Sequence, residues 1–271
     1  MSGSAYSFSR ISLFEQCARR FRYRYLDGVK EAFDSVEGFM GRRVHDTVEW
    51  LFAERTRGRV PSAAETVTQY CRRWDEEVVG APRRINVVKR GEDVETYRRA
   101  GAEILHRFYR ERFIADELET VATEKHFTIP LGGRYVFQGY IDRLARDAAG
   151  RFHVIDYKTG RRMPETFAGK EAEQVQAYAL AIFTESGADE VDLVLEFLRP
   201  GKTLRARIER GQARSVEARL TEQIASLEEA TVFPPRPSAL CDWCGYNDIC
   251  ESYSVRSRAS SIERAELRSA G

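Results

Sequence analysis

No stretch of this 271-residue chain approaches the about 20 continuous apolar residues that a membrane-spanning helix needs, and the N-terminal residues lack the apolar segment of a secretory signal. The expectation is a cytoplasmic protein with no membrane partner. Cysteine is scarce, at five residues, and in a reducing compartment those five are expected as thiols or metal ligands, not as disulfides. Net charge is nearly absent as well. With 43 basic residues against 42 acidic the formal charge is +1, so any nucleic-acid contact must come from a local basic patch and not from a global field. That neutrality does not exclude an enzyme acting on DNA, because a metal site brings its own acids. At 42% hydrophobic residues the chain is neither disordered nor fibrous, and it can bury a core as one large domain or as a domain with an appended lobe.

The densest chemistry lies in Gly139-Tyr140-Ile141-Asp142-Arg143 and in Phe152-His153-Val154-Ile155-Asp156-Tyr157-Lys158-Thr159-Gly160. Both are short apolar runs of β-branched and aromatic residues ending at turn signals, which predicts two strands joined as a hairpin through Gly150. Side chains alternate along a strand, so Asp156 and Lys158 share one side and Tyr157 takes the other. Asp142 on the neighbouring antiparallel strand is expected opposite them. Two carboxylates then bind a divalent cation, and a lysine assists a metal-activated water. From near residue 121, Glu124, His126 and Thr128 alternate with Lys125, Phe127 and Ile129, predicting a further strand; Leu131-Gly132-Gly133-Arg134 turns it back. Glu124 is within reach of the site from that strand.

Residues 1–5 read as a loose tail, and residues 10–26 as one helix, with Ile11, Phe14, Ala18, Phe21 and Tyr25 at spacings of three and four. Its other face carries Arg19, Arg20, Arg22 and Arg24 among Tyr23 and Tyr25, either a surface for phosphates and bases or a solvated helix face. Residues 38–52 read as a loop entering a helix striped by Val44, Val48 and Leu51, with His45 beside the stripe; a lone histidine there is more often structural than a ligand. The charged block 58–118 reads as an inserted helical lobe, with helices at 62–79 and up to about 113 around a Gly-Ala-Pro turn; Cys71 and His106 in it are expected to be structural. Beyond Lys158, a helix at about 171–186 puts Gln174 and Tyr178 on one face. A strand at 191–198, an edge strand at 203–208 and a helix at 215–230 follow. The expected divisions are 1–57, 58–118, a core at 119–232, a cysteine segment at 233–253 and a peripheral or disordered end at 254–271.

Cys241, Cys244 and Cys250 fall within ten residues directly after a proline-rich stop. In a cytoplasmic protein that is a metal motif. Zinc and an iron–sulfur cluster both want four ligands, so the fourth must come from a distance, and Cys17 is the natural candidate. Such a clasp would tie the first helix to the last ordered segment.

Taken together, His45, the Gly139–Arg143 and Asp156–Gly160 motifs, and Gln174-Val175-Gln176-Ala177-Tyr178 resemble the PD-(D/E)XK nuclease superfamily in its RecB-like branch. The early cysteine with the late Cys-x2-Cys-x5-Cys resembles the subgroup that carries a four-cysteine [4Fe–4S] cluster, as in AddB-type helicase-nuclease subunits and CRISPR adaptation exonucleases. The resemblance runs from about Ser7 to Cys250. It implies an α/β fold, a restriction-endonuclease-like mixed β-sheet core flanked by helices, with an inserted helical lobe and a C-terminal iron–sulfur clasp. It implies that His45, Asp142, Asp156 and the Tyr157 carbonyl ligate Mg²⁺ or Mn²⁺, the histidine leaning the site towards Mn²⁺. Lys158 would orient or help deprotonate the attacking water, with Gln174 and Tyr178 beside it. Cys17, Cys241, Cys244 and Cys250 would hold a structural cluster, zinc being the weaker expectation. The activity implied is a metal-dependent exonuclease on single-stranded DNA or free DNA ends, in repair, recombination or CRISPR adaptation, with a helicase or an adaptation complex as partner. The alternatives are a structure-specific endonuclease and a DNA-binding subunit with a silent site.

Overall fold

A computed structural model describes residues 5–80 and 84–254; most of the expected N-terminal tail, part of the Gly-Ala-Pro turn, and the segment beyond Ser254 lie outside them. In chain order, α1 (Phe8–Gln16), α2 (Ala18–Phe21) and a π-turn (Arg22–Leu26) precede β1 (Phe33–Ser35) and the long α3 (Val36–Thr56). Next come α4 (Ala63–Val79), β2 (Arg84–Asn86) and α5 (Val94–Phe108). The remainder is β3 (Glu119–Leu131), β4 (Tyr135–Arg146), β5 (Phe152–Lys158), α6 (Gly169–Ser186), β6 (Glu190–Phe197), β7 (Lys202–Glu209) and α7 (Ala213–Glu229).

The last five strands form one mixed sheet in the order β3-β4-β5-β6-β7. Within that sheet only β5 and β6 run parallel, and α6 supplies the crossover between them. The three-residue connection between the paired Leu131 and Tyr135 has consecutive left-handed glycines, Gly132 at φ 58° and Gly133 at φ 65°, a conformation that glycine adopts without a Cβ penalty. Alternation along β4 sends Tyr135, Phe137 and Ile141 into a cluster with Ile11, Phe21, Val175, Leu180, Leu220 and Ile224, so α1, α6 and α7 cover one face of the sheet. On the other face Val44, Leu51, Tyr70, Trp74, Leu105 and Phe108 pack with Ile155, Tyr157 and Val194. The helices of block 58–118 therefore belong to the layer that covers this second face. Arg143, only 1% exposed, locks that layer to the sheet: it pairs with both Asp116 oxygens at 2.7 Å and lies 3.7 Å over the Phe52 ring.

Two local expectations are corrected. The predicted helix over 10–26 is interrupted at Cys17, whose backbone is extended (φ −160°, ψ 104°). Apolar spacing continues through the break because both short helices bury the same face, and periodicity does not register one extended residue. The loop expected at the start of 38–52 is already helix: Ser35 caps α3 by accepting from the Gly38 amide at 3.2 Å. Gly41 is useful inside that helix, since a Cβ there would stand 2.9 Å from Thr159 Oγ1. Its absence lets α3 lie against the end of β5.

Candidate active site

The β4–β5 ladder ends at Arg143↔Ile155, and beyond that point the strands part. Asp142 and Asp156 stand just past the last rung. The Asp142 carboxylate fills part of the gap by accepting from the Tyr157 amide at 2.8 Å. On the other edge of β5 the Lys158 carbonyl accepts from the Leu198 amide at 2.8 Å. Carbonyls alternate along a strand, so the Tyr157 carbonyl faces the same gap as its amide. Its ring goes the other way, into the core beside Phe52 and Phe108.

Three further elements converge on the gap. From α3, one turn past Gly41, His45 Nδ1 lies 3.4 Å from Asp142 Oδ2. From β3, Glu124 joins them: ligand atoms of His45, Glu124 and Asp142 all lie within 4.8 Å of one another. Glu124 is the one non-glycine residue with positive φ among the described residues, at 44°, a conformation that costs on the order of 1 kcal/mol and marks a constrained position. From α6, Gln174 Oε1 accepts from Lys158 Nζ at 2.8 Å while its Nε2 donates to the Tyr178 hydroxyl at 2.7 Å. Lys158 Nζ also lies 2.7 Å from Asp156 Oδ2. Gly139 makes room for this chain of contacts, since a Cβ there would meet the Tyr178 ring at 3.0 Å and Phe127 at 2.8 Å.

The electrostatics are those of crowded acids. Burial, helped by the Asp142 charge, raises the Glu124 pKa to about 7. Burial also raises that of Asp156, against the lowering pull of Lys158. Burial and the Asp156, Asp142 and Glu124 carboxylates push the Tyr178 hydroxyl far above its ordinary value, although Gln174 opposes them. One imidazole, several carboxylate oxygens and a backbone carbonyl are a donor set that suits Mg²⁺ or Mn²⁺. The residues present fit a divalent ion, and an ammonium stands at its side. A second grouping, Asp147, His153 and Asp192, differs in that Arg151 and Arg207 already occupy its carboxylates.

At the far end, Cys17, Cys241, Cys244 and Cys250 line one cavity with Arg19, Arg20 and Tyr246, and all are unpaired thiols. The break at Cys17 is what separates it from regular helix. The Ser238 amide donates to Cys241 Sγ at 3.3 Å. The segment is stitched to the N-terminal helices: Phe233 stacks on Phe21, Arg19 donates to the Phe233 carbonyl at 3.0 Å, and Ala32 donates to the Gly245 carbonyl at 2.8 Å. Arg20 pairs with Glu31 and Arg22 with Asp27, so three of the four arginines offered as a phosphate surface are engaged inside the molecule. Arg24 instead lines a concavity with Lys158, Lys170 and Gln174. Cys71 packs against the second core cluster away from the other cysteines, and His106 is exposed on α5.

A mixed sheet flanked by helices, with carboxylates and a lysine where two of its strands part, defines a class of metal-dependent phosphodiester hydrolase. The chain belongs to the PD-(D/E)XK nuclease superfamily, whose family model matches residues 5–251. It is thus a nuclease of a superfamily that uses divalent metals, and its sheet is consistent with the restriction-endonuclease-like fold. No curated protein matches it. Among solved structures, one titled "Crystal structure of SSO0001" is similar with a TM-score of 0.37 at 18% identity, over 89% of this chain and 95% of that one. No helix among the described residues is long and apolar enough to cross a membrane.

Proposed function

We propose that this nuclease is a RecB-like DNA exonuclease that acts on single strands or free DNA ends with Mg²⁺ or Mn²⁺. The observation that carries the reading is the Lys158 ammonium, held between Asp156 and Gln174 beside the His45–Glu124–Asp142 group. His45, Asp142, Asp156 and the Tyr157 carbonyl are the proposed ligands. When bound, the ion supplies Lewis-acid stabilisation of phosphate charge and an acidified water. Asp142 orients the Tyr157 peptide and hence the carbonyl. Lys158 places a fixed positive charge where negative charge builds on the phosphate, and it orients the attacking water. Gln174 fixes the ammonium, and Tyr178 fixes Gln174. Cys17, Cys241, Cys244 and Cys250 are proposed to hold a structural [4Fe–4S] cluster, supported by their shared cavity and by an amide donor aimed at one sulfur. A cytoplasmic setting, with a helicase or a CRISPR adaptation complex as partner, completes the proposal.

The test is a time course on end-labelled single- and double-stranded DNA, with Mn²⁺ and with EDTA. Progressive shortening from an end supports an exonuclease, discrete internal products an endonuclease. No cleavage by the wild type, or equal cleavage by Lys158→Ala, would defeat the proposal.

A further inference from the structure

The hairpin of β3 and β4 continues well past the four rungs that pair β4 with β5. Because Thr123 pairs with Arg143 and Lys125 with Ile141, Glu124 stands across from Asp142. The pairs that follow along the ladder, His126↔Tyr140, Thr128↔Gln138 and Pro130↔Val136, share one face with each other. The opposite face of the hairpin, with Phe127, Ile129, Leu131, Tyr135 and Phe137, is buried. The face that carries His126 and Tyr140 is open: Tyr140 is 56% exposed and Val136 46%, and His126 and Thr128 are exposed too. Next to the carboxylate pair the rings of His126 and Tyr140 lie with centroids 4.8 Å apart and planes at 49°.

Resting on the nuclease reading above, we propose that the His126–Tyr140 pair is a stacking shelf for an unpaired base of the nucleotide adjoining the scissile phosphate. Two residues along a strand is about 7 Å, so a phosphate at Asp142 and Glu124 brings its neighbouring base over these rings. A tyrosine more than half exposed in mid-strand does nothing for the core. Exposed aromatic rings beside a phosphate-handling site are what sequence-independent single-strand binders use, since every base has a π-face. Continuity with the carboxylates favours DNA as occupant over a protein partner. A base stacked inside a duplex cannot present its face to the shelf, so the preferred substrate is unstacked at this position, as in a single strand.

The test uses the full chain with Ca²⁺ in place of Mn²⁺, an oxygen-ligated cation that holds the phosphate at the carboxylates, and a single-stranded oligonucleotide carrying 2-aminopurine at successive positions. The wild type should bind and quench the probe at one position. Tyr140→Ala should bind about 5- to 100-fold more weakly and lose that quenching, while Tyr140→Phe keeps both. A thermal midpoint within about 1 °C of wild type shows that Tyr140→Ala is folded. Equal binding and quenching by Tyr140→Ala overturns the shelf alone and leaves the face to a protein partner. A wild type that neither binds single strands nor cleaves them with Mn²⁺ overturns the nuclease reading, and the shelf with it.

Discussion

Gln174 joins Lys158 to Tyr178: its carbonyl oxygen holds the ammonium at 2.8 Å and its amide nitrogen holds the phenol at 2.7 Å. The lysine is on β5 and the other two are one turn apart on α6. A flexible four-carbon side chain is thereby fixed at its tip by a helix across the sheet, and a mobile cation becomes a placed one.

Removing the charge and removing its support should differ in degree. Lys158→Ala is expected to lower kcat by about 10²–10⁴-fold, the usual contribution of a positioned proton-handling group. Gln174→Ala leaves the ammonium in place, held by Asp156 alone, and the loss should be about 10- to 100-fold, as for other supporting hydrogen bonds. Single-turnover rates with saturating DNA and Mn²⁺ separate the two. Equal losses would mean that Gln174 acts on DNA and not through Lys158.

The raised carboxyl pKa values give the metal-free protein an unusual pH dependence. A carboxyl with a raised folded pKa favours folding while protonated. That contribution is complete below its ordinary range near 4.5 and is lost as pH rises through about 7 for Glu124, with Asp156 acting in the same direction. In EDTA the thermal midpoint should therefore fall between pH 5 and about 7.5. Glu124→Gln should flatten the fall, and Mn²⁺ should raise the midpoint more at the upper pH than at the lower. A midpoint that climbs over this window in EDTA would contradict the crowded-acid picture.

Gly139→Ala puts a methyl against the Phe127 and Tyr178 rings, at 2.8 and 3.0 Å. The expected cost is about 1–3 kcal/mol of stability, measured by urea denaturation, as for other overpacked cores. Displacing the Tyr178 ring should also loosen Gln174, so activity falls further than the folded fraction does.

Replacing Arg143 tests a buried ion pair. Arg143→Ala removes the buried guanidinium over Phe52 and leaves the part-exposed Asp116 only its longer contact with Arg55 at 3.7 Å; it should cost about 3 kcal/mol, whereas a rim pair such as Arg72 with Glu76 should cost less than about 1 kcal/mol. Chemical denaturation of the two alanine variants checks the contrast.

The proposed cysteine cluster predicts a metal-linked loss of stability. Cys17→Ala should release the bound metal and lower the thermal midpoint, because binding energy at such a site is folding energy. Cys71→Ala, distant from the cavity, should retain the metal. Anaerobic protein should be brown with iron and sulfide; a colourless protein with one zinc would remove the cluster from the proposal.

Much of this molecule is set locally. The alternation around Asp142 and Asp156, the Gly132-Gly133 turn and the spacing of Gln174 and Tyr178 each follow from short-range rules, since strand period, turn chirality and helix pitch depend only on neighbours in the chain. The cysteine spacing likewise is legible without a fold. What alternation does not contain is where two paired strands separate. That point, past Arg143↔Ile155, turns two carboxylates and a peptide carbonyl into one site, and it depends on α3 packing through Gly41. The break at Cys17 and the left-handed backbone of Glu124 were equally hidden, because both are local departures held in place by distant contacts. The sequence by itself determined which chemical groups this protein carries and on which strand or helix each sits. Only the tertiary structure decided which of them meet, because His45, Glu124, Asp142 and Lys158 lie on four elements whose approach is fixed by packing and not by spacing.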